Sequence, residues 1–194
     1  MNVWMKERWE LLNKGQFKGF LAGFCVFLLL VFKSEPGFVL LLDHANLLFH
    51  EAGHPFYGIF SARLTPYGGT LGQLTFPAVL AISFWRKGES ISFAASIIWF
   101  FENGLNISRY MADARAQVLP LVGGGEHDWA YIFGKWGVTT FDTRIAGCVR
   151  MISWTGIVVA ALWILWLWWA TAKERSENKA KEDEARINSI LREI

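Results

Sequence analysis

The chain has 194 residues, of which 53% are hydrophobic and 19% charged, with eleven Trp and sixteen Phe. A soluble domain carries about 25% charged residues, whereas here the apolar residues gather into runs and most charges fall at the ends and in short links. A disordered chain is excluded, and the net charge of +2 gives no concentrated basic face of the kind nucleic acid requires; the expected class is an all-α membrane protein.

Residues 1–18 form a basic start (Lys6, Arg8, Lys14), which places the amino terminus in the cytoplasm. The first candidate span, Gly19 to Phe32, is short, but the stems of Lys18 and Lys33 can extend it. The link Ser34-Glu35-Pro36-Gly37 offers no small-x-small cleavage site, so this segment reads as a retained anchor. Gly37 to Phe60 is long enough to cross a bilayer yet contains Asp43, His44, Asn46, His50, Glu51 and His54. Residues 61–72 are turn-rich and predict a small β-hairpin. Thr70 to Trp85 is interrupted by Gly72, Gln73 and Pro77, so the stretch 61–85 can instead be partly re-entrant.

Ile91 to Phe101 continues into Glu102-Asn103-Gly104-Leu105-Asn106, and a glycine-rich loop follows at 122–129. Met151 to Ala170 is the clearest span: it is uncharged, rich in Trp and closed by Lys173 and Arg175. The membrane domain therefore covers 19–171. It has five spans, or four with both termini cytoplasmic if 61–85 is re-entrant. The tail 172–194 balances six basic against six acidic residues and sets Ile187, Ile190, Leu191 and Ile194 on one stripe. It predicts a charged amphipathic helix with room for an oligomer or partner seam. Cys25 and Cys148 are too far apart in sequence to indicate a disulfide framework.

The chemistry lies in His50-Glu51-Ala52-Gly53-His54. Residues four apart share a helix face, so both imidazoles can reach one zinc ion at about 2.0–2.1 Å. Glu51, beside His50 around the helix, can take a proton from a zinc-bound water and return it to a leaving amine. An ionisable cluster in an apolar span is costly and usually lines a functional cavity. Asp43, seven residues before His50, and His44, seven before Glu51, are candidate hydrogen-bond partners of the site.

Phe49 to His54 inside a span resembles the site-2 protease family of intramembrane zinc metalloproteases. Tyr67-Gly68-Gly69-Thr70-Leu71-Gly72 is similar by position to the short β-rich or re-entrant element of that family. Leu119-Pro120-Leu121-Val122-Gly123-Gly124 is similar to its later Leu-Asp-Gly motif. The resemblance covers about residues 38 to 128. It implies one Zn2+ per chain, a membrane-protein or peptide substrate, no nucleic acid, and residence in a bacterial inner (cell) membrane. It also implies hydrolysis of a peptide bond in or near a transmembrane segment. Asn103 and Asn106 lie where the family carries a substrate-orienting asparagine.

Two departures qualify the likeness. Val122 replaces the family's zinc-binding aspartate, and valine cannot bind zinc; Glu126, His127 and Asp128 follow shortly after. His127 is the preferred third ligand and Asp128 the second choice. Pro55 should kink or end the helix just after His54, because its ring clashes with the Glu51 carbonyl. These departures motivate an alternative, a non-catalytic metal-binding membrane subunit or assembly factor on the same scaffold.

Overall fold

The computed structural model describes residues 9–10, 12–34, 39–121 and 126–193. Lys6, Arg8, Val122 and Gly123 to Gly125 lie outside the described residues. Within them every regular element is helical: α1 (Lys14–Lys33), α2 (Leu40–Phe60), α3 (Thr65–Lys87), α4 (Ser90–Ala112), α5 (Asp128–Trp136) and α6 (Asp142–Glu193), with 3-10 turns at Ala62–Leu64 and Thr139–Phe141. Two stretches, Lys14–Lys33 and Thr139–Lys173, are long and apolar enough to cross a membrane.

Local chemistry sets the ends. Asn13 and Gln16 form a capping box at the start of α1, each side chain accepting the other's backbone N–H at 2.9 Å. Pro66 sits in the first turn of α3, where its missing N–H costs nothing. Gly88 closes α3 with a φ of 76°, a left-handed cap that suits glycine.

Helices α1, α4 and α6 pack along one another. Ala94 meets Ile164 and Leu167, and Ile98 meets Ile157 and Ala160, so α4 and α6 run antiparallel. Phe17 stacks on Trp168 and Phe32 on Trp154, so α1 also runs against α6. The Glu10 N–H donates to the Gly88 carbonyl at 2.9 Å, which joins the start of the chain to the α3–α4 turn.

The expected β-hairpin over 61–72 is not what forms. Ser61 caps the 3-10 turn through Arg63 N, and the chain then enters α3 directly. The glycines that suggested turns serve helix packing instead. A Cβ on Gly53 would lie 2.1 Å from the Gly68 carbonyl oxygen, and one on Gly72 would lie 2.3 Å from that of Phe49. Only glycine lets α2 and α3 approach this closely.

Pro55 does not end α2, which continues to Phe60. Proline removes one helical hydrogen bond, but packing of α2 against α3 on both sides of Pro55, at Gly53 and at Gly58, holds the helix through the gap. The charged tail is likewise not a separate helix. It continues α6 without interruption to Glu193, since nothing between Ala170 and Glu193 is glycine or proline. Of the proposed apolar stripe on the tail, Ile187 is exposed; the side chains of Ile190, Leu191 and Ile194 lie outside the described ones.

Gly53→Ala is expected to destabilise the fold by about 1–3 kcal/mol, because its methyl group meets rigid backbone. Thermal unfolding in detergent checks this, with Gly19→Ala, where nothing lies within 4 Å, as the control for the roughly 0.5–1 kcal/mol that alanine adds by helix propensity alone.

Candidate metal centre

The close α2–α3 contact aims the two histidines. His50 and His54 lie one turn apart on α2, and both Nδ1 atoms are engaged from α3. His50 Nδ1 is 2.9 Å from Gln73 Oε1, and His54 Nδ1 is 2.7 Å from the Thr65 carbonyl oxygen. Both partners are acceptors, so each Nδ1 carries a proton, and each Nε2 is the nitrogen left to face a carboxylate or a cation. Gly69 makes room for the His50 ring: a Cβ there would lie 2.4 Å from it.

The two Nε2 atoms face Asp128. Its Oδ2 is 2.9 Å from His50 Nε2 and 3.3 Å from His54 Nε2, and ligand atoms of the three residues all lie within 4.8 Å of one another. Atoms bound tetrahedrally at about 2.0–2.1 Å stand about 3.3–3.4 Å apart. The three residues could therefore hold one metal ion, and two imidazoles with a carboxylate are donors that zinc accepts.

Asp128 opens α5 and is held in place by its surroundings. Its backbone N–H donates to the Tyr110 hydroxyl at 3.1 Å. Asp113 gathers the approach to it by accepting the N–H groups of Val118 and Leu119 at 3.0 and 3.1 Å. Burial alone would raise the Asp128 carboxyl, but hydrogen bonds from His50 and His54 outweigh it and hold the group below its ordinary value.

His127, the preferred third ligand from sequence, is turned elsewhere. Its Nδ1 accepts the Ala130 N–H as the cap of α5, and its Nε2 lies 3.4 Å from Asp113. The ring stacks on Tyr110 at a centroid distance of 4.1 Å. Burial lowers its pKa below the ordinary imidazole value. The second choice, Asp128, is the residue brought to the histidine pair, because the helix cap commits His127 to its own backbone.

A cavity of about 840 Å³ opens onto this group and is lined by Glu51, Asp43, Asn106, Arg109, Tyr110 and Tyr131 among others. Glu51 is exposed to this space rather than paired in the triangle. Asn106 and Asp43 belong to the site's surroundings. Asn103 is buried and donates to the Trp99 carbonyl at 3.0 Å, away from the cavity. His44 is exposed and does not line it.

Three contributors escaped the sequence: the Gln73 side chain, the Thr65 carbonyl and the Tyr110 hydroxyl. Only Gln73 left a trace, as the one amide interrupting the apolar stretch 70–85.

Comparison with protein-family models, with curated proteins and with solved structures returned no match.

Titrated with zinc in detergent, the chain is expected to take up about one ion. Asp128→Ala should abolish uptake, whereas His127→Asn, which preserves a helix cap, should retain it. Atomic absorption on the two purified variants distinguishes the ligands.

Proposed function

We propose that the chain is a membrane-embedded zinc metalloprotease that hydrolyses a peptide bond in or near a transmembrane segment. The observation that carries this reading is the meeting of His50 Nε2, His54 Nε2 and Asp128 Oδ2 beside Glu51 at the wall of one cavity. A zinc ion held by the three would polarise a carbonyl and lower the pKa of water toward about 7. Glu51, one residue along α2 from His50, is the general base. It takes a proton from the attacking water and delivers it to the amide nitrogen as the C–N bond breaks. The hydroxyl stays on the acyl carbon, so the products are a carboxylate and an amine.

The same reading sets four membrane crossings. Apart from α1 and the span in α6, helix α4 lies along α6 for much of its length. The Glu10–Gly88 hydrogen bond and the Phe17–Trp168 stack put the chain's start, the α3–α4 turn and the end of the last span on one side. With α1 crossing outward, α2 and α3 together must return the chain once, and α4 and α6 complete the four. Lys14, Arg86, Lys87 and Lys173 then share a side, which the positive-inside rule makes cytoplasmic.

The test uses full-length protein in liposomes, zinc-loaded, with reporters carrying varied transmembrane segments and with casein as an unfolded substrate. Wild type is expected to cleave at least one reporter. Glu51→Gln should keep the metal and lose about 10²-fold or more of the rate. Cleavage by Glu51→Gln at the wild-type rate would sink the base assignment. Metal without cleavage of any reporter would favour the non-catalytic subunit.

A further inference from the structure

Behind His50 lies a run of side chains that the proposed hydrolysis does not use. Gln73 accepts from His50 Nδ1 with Oε1 and donates through Nε2 to Asn106 Oδ1 at 3.1 Å. Asn106 in turn donates through Nδ2 to Asp43 Oδ1 at 2.6 Å. The other Asp43 oxygen accepts the Val39 backbone N–H. His50, Gln73 and Asp43 are all under 8% exposed, and together with the partly buried Asn106 they border the cavity.

The chain of bonds has a direction. An amide has a donor end and an acceptor end, so turning one over forces its neighbour to turn over too. Asp43 uses both oxygens as acceptors, which fixes the Asn106 NH2 toward it and the Asn106 oxygen toward Gln73. That oxygen fixes the Gln73 NH2, which leaves Oε1 to face His50. An acceptor at this point requires a proton on Nδ1, which leaves Nε2, 2.9 Å from Asp128 Oδ2, as the nitrogen that a metal would take. The reverse polarity would set the Asn106 oxygen against a carboxylate oxygen.

We infer that Asp43, Asn106 and Gln73 form a directional relay that sets the His50 tautomer, making Asp43 and Asn106 positioning residues for a metal ligand they never touch. The inference rests on the metal-centre reading for its purpose, but with Asp128, whose carboxylate competes for a proton on Nε2, removed, the relay sets the tautomer without metal. Outer partners of this kind usually change metal affinity by about 10–100-fold when removed.

A double-mutant cycle in full-length, detergent-purified protein tests it. Asp43→Asn removes the fixed polarity, since the new amide can face Asn106 with either end. Zinc affinity should fall about 10-fold. Gln73→Glu replaces the amide by a group that only accepts, so Nδ1 stays protonated whatever Asp43 does. In that background Asp43→Asn should cause no further fall. A role for Asp43 confined to folding would lower affinity in both backgrounds and would overturn the relay, as would an unchanged affinity for Asp43→Asn alone. The second readout is the 15N spectrum of histidine-labelled, metal-free Asp128→Ala protein at alkaline pH, where no carboxylate competes for a proton on Nε2. In that background His50 should carry its proton on Nδ1, and become a mixture of tautomers when Asp43→Asn is added. Should wild type bind no zinc, this spectrum still decides: the expected pattern keeps the relay and discards the metal centre, and identical spectra discard the relay.

Discussion

The site depends on how closely two helix backbones approach. Where α2 meets α3, Gly53 and Gly68 leave no space for a side chain on either helix. That contact brings the Thr65 carbonyl to His54 and Gln73 to His50, while Gly69 leaves the hollow in which the His50 ring lies. Close packing of small residues and hydrogen bonds between helices both favour helix association. Here the two are combined, since the same stretch of α3 supplies the glycines and the groups that orient both imidazoles.

The third member of the triangle arrives by another route. Asp128 sits at the first turn of a nine-residue helix whose cap is His127. Tyr110 holds this corner from α4, bonding the Asp128 N–H and stacking on the His127 ring. Two neighbouring polar residues thereby divide the work, one closing the helix and the other facing His50 and His54.

How much of this was legible in the sequence follows from the range of the interactions. The pairing of His50 with His54 is a property of helical spacing and needed nothing else. The assignment between His127 and Asp128 depended on where a cap falls, and adjacent residues give no periodic signal to separate them. The glycines of 68–72 were ambiguous because a turn and a close helix contact favour the same residue for different reasons; the partner that decides, Gly53, lies on another helix. Gln73 looked like a break in a span, since an amide's value at that point comes only from His50 and Asn106. The all-helical class followed from composition and from the apolar runs.

Helix α6 continues well beyond the end of its apolar portion at Lys173, as one unbroken element of 52 residues ending at Glu193. At 1.5 Å per residue the part past Lys173 is roughly 30 Å long. Such a rod is a lever. A tilt of about 10° in the apolar portion would swing its far end by roughly 5 Å over that length, so small rearrangements among the packed helices are magnified at the charged tail.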